Sequence, residues 1–192
     1  MPSRFGISIN EVGGRNKFVN VLLPSWMKIR LKPTVETNLK LVLDFLRQAA
    51  LRLQKKRVDQ WQNWLDPAAE DVAWIKEGFE SKEFFLVVNE KEEVLGAIRI
   101  MSKDLLYWGE QAEEALYIHS LIILEKYAGQ GIGKQVIEQV RNQAKALGYP
   151  WLRLDCNSAN PALCSYYETQ GFLQVGIRKF EDFSCNLYQK KI

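Results

Sequence analysis

The stretch from Leu121 to Gly133 reads LIILEKYAGQGIG: an apolar run, a short turn, and glycines at three alternate positions, Gly129, Gly131 and Gly133. An amphipathic run follows at once from Lys134 to Val140. Glycines let backbone N–H groups approach a ligand closely. The first N–H groups of a helix have no internal partner, and its dipole favours negative charge there. Strand, glycine loop and helix start in that order form an anion cradle, and a phosphate-bearing ligand is the natural occupant. Two common phosphate loops fit poorly. A P-loop needs Ser or Thr after Gly-Lys and a glycine five residues earlier, whereas Gly133-Lys134 is followed by Gln135 and preceded by Ala128. A dinucleotide loop needs GxGxxG near a first strand, and this one is GxGxG deep in the chain.

A second block lies downstream. The strand-like Trp151–Asp155 is followed by Asn160, Pro161, Ala162, Leu163, Cys164, Ser165, Tyr166, Tyr167 and, four residues on, Gly171-Phe172. Asn160 and Tyr167 are about two helical turns apart, so they share one face with ~10 Å between them. That face offers an amide and a phenol. Cys164 lies between them as filler, and Tyr166, turned by about 100°, is expected to pack.

Together the two blocks resemble the GNAT superfamily of acyl-CoA-dependent N-acetyltransferases, from about Met27 to the C-terminus. That family carries an R/Q-x-x-G-x-G/A loop and an N-x-x-x-x-x-x-Y-x-x-x-G-F block. Gly131 and Gly133 match the loop; Asn160, Tyr167, Gly171 and Phe172 match the block. The Arg or Gln that usually opens the loop is Ala128 here, which removes one side-chain donor and leaves the backbone amides.

The resemblance implies acetyl-CoA as cosubstrate and direct attack by an amine in a ternary complex. The pyrophosphate would take the amides of Ala128, Gly129, Gln130, Gly131, Ile132, Gly133 and Lys134. Pantetheine and the thioester would lie along Leu121, Ile122 and Ile123, near Asn160 and Tyr167. Tyr167 becomes the expected general acid for the leaving thiolate, since a phenol with a pKa of about 10 holds its proton until needed. His119, the single histidine, is the candidate base. It shares a strand face with Tyr117, where arylalkylamine-type members carry a histidine pair. Gln60-Trp61 weakly resembles an element near the acceptor pocket of some members, with Arg57 in the place of a glycine. Trp61, Tyr107 and Trp108 are the candidate substrate-binding aromatics, able to line an apolar pocket or contact a cation.

The surrounding sequence fits one domain with these parts. A chain of 192 residues can bury one substantial core. Its net charge of +3 is small and interspersed, so neither nucleic acid nor a membrane is an expected partner. Three cysteines without CxxC imply no disulfide framework and no zinc site, and no metal is expected. A reducing cytoplasm is the default compartment. Residues 1–26 read as an N-terminal extension and 27–192 as a single N-acetyltransferase domain, with Met27 an alternative start.

A first strand is expected over Met27–Thr34. A helix from Thr37 follows, with Leu39, Val42, Leu43, Leu46, Ala49, Ala50 and Leu53 inward. Asp66-Pro67 should open a second helix as N-cap and first residue. A hairpin turns at Asn89–Glu93, and a long strand covers Leu116–Leu124. The third helix should turn Ile132, Val136, Ile137, Val140, Ala144 and Leu147 inward and stop at Gly148. Two strands close the chain. The order β-α-α-β-β-β-α-β-α-β-β implies a mixed, mostly antiparallel sheet with helices on both faces.

The expected function is acetyl transfer from acetyl-CoA to a primary amine of a small molecule. A peptide or protein N-acetyltransferase and a non-catalytic acyl-CoA-binding module are the alternatives. A homodimer is left open.

Overall fold

The computed structural model describes residues 28–192; the expectations for the leader and for Met27 lie outside them. The elements run β1 (Ile29–Pro33), α1 (Leu39–Lys55), α2 (Ala69–Glu80), β2 (Phe84–Asn89), β3 (Val94–Met101), β4 (Ala115–Ile123), α3 (Ile132–Leu147), β5 (Trp151–Asn157), α4 (Pro161–Thr169), β6 (Leu173–Lys179) and β7 (Ser184–Lys191). This is the anticipated order. The strands form one sheet in the spatial order β1-β2-β3-β4-β5-β7-β6. Every neighbouring pair is antiparallel except β4–β5. The last strand is therefore internal, and β6 forms the edge.

Two apolar layers sandwich the sheet. On one face α1 and α2 bury Val42, Leu46, Ala50 and Ile75 against Phe84, Val88, Ala97 and Ile122. On the other, α3 and α4 bury Val136, Val140 and Tyr167 against Ile98, Ile118, Leu152 and Tyr188. Two local expectations need correction. The second helix is capped at Ala68, whose N–H donates to the Asp71 carboxylate at 3.1 Å. Asp66 and Pro67 thus precede the cap instead of forming it. Leu147 is 62% exposed, because the chain turns away at Gly148 in a left-handed conformation (φ 81°).

Arg99 on β3 ties the hairpin to α2. Its Nε and Nη2 donate to Glu83 Oε2 at 2.8 and 2.6 Å, and Nη1 donates to the Trp74 carbonyl at 2.9 Å. The guanidinium lies 4.0 Å over the Trp74 ring. A buried charge needs this degree of pairing to offset its lost hydration.

The feature that shapes the site is a bulge in β4. Ala97 opposes Ile122 and Arg99 opposes His119, so β4 spends one more residue than β3 over that interval. Ser120 sits there with φ 48°. Side chains alternate faces along a strand, and an extra residue inverts the alternation. Ile118 accordingly belongs to the α3–α4 layer, whereas Ile122 belongs to the α1–α2 layer. Leu121 and Ile123 pack back on the α3–α4 side. The two strands approach so closely that a Cβ at Gly96 would overlap the Ile122 carbonyl oxygen. Replacing Gly96 with Ala should cost about 1–3 kcal/mol, the usual range for overpacking. Urea denaturation of purified protein would measure it, and an unchanged midpoint would contradict the close approach.

Candidate active site

The parallel ladder of β4 and β5 ends where the bulge begins. Its last pair is Ile118–Leu154, although β4 runs on to Ile123 and β5 to Asn157. The strands diverge beyond that point. The side of β4 facing β5 from His119 to Ile123 has no strand partner among the described residues.

The loop after β4 carries the glycines. Gly129 and Gly131 have φ of 75° and 74°, and no atom lies within 4 Å of where their Cβ atoms would be. Gly131 is the N-cap of α3, with no side-chain cap. Gln135 N–H is the first to find a carbonyl, that of Gly131. The six preceding N–H groups, Gly129 to Lys134, find no acceptor among the described residues. Free amides at a helix start, beside two glycines with open space, are the arrangement that an anion cradle requires. An open groove beside it is lined by Gly131, Lys134, Gln135, Glu138 and Gln139. Ala128 N–H is already used, donating to Glu125 at 3.0 Å. At Gly133 the close neighbour is a side chain: Tyr166 places its hydroxyl 2.8 Å from where a Cβ would sit, so a larger residue there would displace that hydroxyl.

The second block lies across the gap on α4. Asn160 is the N-cap, accepting from Leu163 N–H at 3.2 Å, with Pro161 first in the helix. Its amide nitrogen donates to Gln60 Oε1 at 2.7 Å. Gln60 and Asn160 are both buried, so this bond joins the turn after α1 to the start of α4. Tyr167 is buried among Tyr166, Phe172 and Tyr188, with ring centroids 5.5, 5.9 and 6.4 Å away. Its hydroxyl has no hydrogen-bond partner among the described residues. Burial raises its pKa well above the ordinary 10.0, so the phenol keeps its proton at neutral pH.

On the opposite face, His119 is held between two carboxylates. Nε2 lies 3.0 Å from Asp104 Oδ2, and Nδ1 lies 3.5 Å from Asp155 Oδ1. The second contact makes no well-formed hydrogen bond, which leaves Asp155 Oδ1 a buried acceptor without a donor. Burial would lower the pKa of His119. The Asp104 hydrogen bond and the charges of Asp155 and Asp104 outweigh it, against an opposing push from Arg99, and the pKa lies above 6.5. Burial pushes Asp155 up from 3.8 to about 6, with His119 pulling it back and Asp104 adding to the rise. Tyr107 lies over His119 at 5.5 Å and Trp74 at 6.1 Å. One atom of each member of this trio lies within 4.8 Å of the others, a spacing that could hold a metal ion. The two carboxylates address opposite ring nitrogens, however, which suits proton transfer along the chain better than a shared centre.

The candidate aromatics do not share one wall. Trp61 packs against the α1–α2 layer. Trp108 is buried with Tyr117, and Tyr107 bridges that cluster to His119. Asp104 and Asp155 were not among the expected residues. Asp155 had a visible signal: Trp151-Leu152-Arg153-Leu154-Asp155 places two charges at alternate positions of a strand that must be internal. Asp104 had none, because it comes from an irregular loop that only the fold brings to His119.

The Acetyltransferase (GNAT) family profile matches residues 49–172 of this chain. The chain belongs to the GNAT acetyltransferase family. The matched region spans both the glycine loop and the Asn160–Phe172 block. This GNAT protein is 26% identical over 166 residues to the uncharacterized N-acetyltransferase YesJ of Bacillus subtilis, covering 83% of this chain and 88% of that one. It is similar to a GNAT-family acetyltransferase of Listeria monocytogenes of known crystal structure, with a TM-score of 0.69, 26% identity, and 85% and 95% of the two chains covered. The fold is also that of the Vibrio cholerae spermidine N-acetyltransferase solved with CoA and spermine, with a TM-score of 0.59, 12% identity, and 85% and 95% covered. No helix among the described residues is long and apolar enough to cross a membrane.

Because His119 is the single histidine, its titration can be followed alone by NMR of the ring C–H signals. The midpoint should lie above 6.5. Asp104→Asn should lower it, as it removes the strongest upward influence. A raised folded-state pKa means that the charged imidazole stabilises the fold. That contribution is complete below the unfolded value and vanishes as the pH rises through the folded one. A midpoint unchanged in Asp104→Asn would dissociate the pair.

Proposed function

We propose that this enzyme transfers the acetyl group of acetyl-CoA to the primary amine of a small molecule, by direct attack within a ternary complex. The observation that carries the reading is the juxtaposition at the β4–β5 gap. Six open amides and the Tyr167 phenol stand on the α3–α4 side, and a buried carboxylate–imidazole chain stands on the other. An acyl donor held from one face would meet an amine arriving from the opposite one. The CoA and spermine bound to the V. cholerae relative support this choice of ligands.

The roles follow from the geometry. The amides of Gly129 to Lys134 hold the pyrophosphate, with the α3 dipole behind them. The open edge of β4 from His119 to Ile123 binds the pantetheine amides and polarises the thioester carbonyl. Asp155 Oδ1, the acceptor without a donor, takes a proton from the incoming ammonium, and His119 with Asp104 stabilises the charged form that does so. The neutral amine then forms the C–N bond, the C–S bond breaks, Tyr167 gives its proton to the thiolate, and the nitrogen, cationic once bonded, releases its surplus proton to solvent. Asp155 and Tyr167 return to their starting states by exchange with solvent. His119 therefore works through Asp155, while Asn160 fixes the start of α4 and with it Tyr167.

Three outcomes test the reading. Calorimetric titration with acetyl-CoA should show affinity reduced at least about 10-fold in Gly131→Val, because the side chain stands in the cradle and a β-branched residue strains that backbone. Unchanged affinity in a folded variant would place the ligand elsewhere. Tyr167→Phe should lose on the order of 10²–10⁴ in kcat with acetyl-CoA binding retained; full activity would reduce Tyr167 to packing. Finally, kcat/KM should rise with pH through about 6 as Asp155 ionises. Asp155→Asn should remove that limb, and a mutant profile that overlays the wild type would assign the limb to the substrate amine.

A further inference from the structure

On the same face as His119, one strand pair nearer the start of the β4–β5 ladder, lies a cluster that the proposed chemistry does not use. Arg153 pairs with Tyr117 and Trp151 with Ala115 across the ladder. Trp108 closes over them, with the Arg153 guanidinium 5.0 Å from its ring centroid. Arg153 is only 3% exposed. Nη1 donates to the Tyr117 hydroxyl at 2.9 Å and the Glu113 carbonyl at 3.2 Å. No carboxylate forms an ion pair with it among the described residues. Three buried donors in this cluster, Arg153 Nε, Trp108 Nε1 and Trp151 Nε1, have no acceptor among the described residues.

That combination is physically incomplete. Arg99, the other buried arginine, is fully paired by Glu83 and a carbonyl. A buried guanidinium without an anion has lost its hydration and received only neutral acceptors in return. Indole N–H groups only donate, and a guanidinium only donates. A buried guanidinium with an unpartnered Nε, and two unpartnered indole donors in the same cluster, are complemented by one ligand chemistry: an anion with several acceptor lone pairs, which for an organic molecule means a carboxylate.

The position makes this more than a local anomaly. Arg153 and Asp155 lie on the same face of β5, two residues or about 6.6 Å apart along the strand. Tyr107 spans the interval, touching both the Arg153 cluster and His119. An acceptor whose amine sits at Asp155 would hold a nearby carboxylate within reach of Arg153.

We propose that Arg153, Trp108 and Trp151 form a carboxylate subsite, and that the acceptor is an amino acid or a similar amine bearing a carboxylate close to its nitrogen. The inference rests on the function proposed above, but its test separates the two. The CoA-saturated protein is titrated calorimetrically with matched pairs that differ only in the carboxylate: glycine and methylamine, lysine and 1,5-diaminopentane, phenylalanine and phenethylamine. Within at least one pair the acid should bind about 10–100-fold more tightly, the contribution of hydrogen bonds to a charged group. Arg153→Met should erase that difference. Trp151→Phe and Trp108→Phe keep the rings and the charge while each removing one donor; they should weaken the acid several-fold and leave its amine partner unchanged. These two variants carry the test if Arg153→Met does not fold. The proposal is overturned if the amines bind as well as the acids, if the preference survives the Arg153 and Trp variants, or if no acid binds at millimolar concentration. Should CoA itself not bind, the function fails, and the same titrations without CoA still decide the subsite. A lone buried water on the three donors would show as no acid binding and would overturn the inference.

Discussion

Strands β4 and β5 can run parallel for only four residue pairs before the extra residue at Ser120 turns β4 aside. Parallel neighbours normally continue until one of them ends, and here both continue without each other. The cost is a row of unpaired backbone groups in the middle of a sheet, a place where such groups are otherwise satisfied. It is tolerated at this position because the bulge is stabilised from outside: Gly96 admits the Ile122 carbonyl, and Ile122, turned to the α1–α2 side, anchors in that layer. The end of the β4–β5 pairing and the turn of Ile122 toward α1 and α2 both go with that single irregularity.

Charge is distributed around the gap with a consistent logic. Where a buried charge supports structure, as in Arg99 with Glu83, it is paired within the protein and stacked on an aromatic ring. On the face that carries His119, pairing is incomplete. Asp155 has an oxygen without a donor and Arg153 has donors without an acceptor. The α3–α4 side carries no buried carboxylate–histidine chain; it offers neutral amides and a phenol that burial keeps protonated. The two sides of the sheet thus differ in kind, one presenting neutral donors and the other buried charges.

Much of this was legible in the residues. Apolar periodicity found the helices, the hairpin and their order, since amphipathic faces follow directly from the layers they bury against. The glycine loop was legible because positive φ and open space select glycine at Gly129 and Gly131. The Asn160–Tyr167 spacing was legible as one helix face, although Asn160 proves to be a cap whose amide binds Gln60. Interactions across distant segments were not. The Asp104–His119–Asp155 chain draws on a loop and two strands, and spacing along the sequence carries no trace of it. The bulge was hidden too, because an extra residue leaves the composition of a strand unchanged and alters only which face each side chain meets. Tyr166 packs against the α3–α4 layer, and its hydroxyl also fills the space a side chain at Gly133 would take.

The insertion of β7 between β5 and β6 has a consequence for how the protein is made. β5 carries Arg153 and Asp155, and its free edge is completed only by residues 184–191, which are made after β6. Until then the nascent chain presents a central strand with one side unpaired, and β6 has nothing to pair with either. The closing pairing is non-local, which is the slow kind to form. Assembly of this part of the sheet therefore waits for residues 184–191, and a chain cut before them lacks an interior strand, not a trimmed edge.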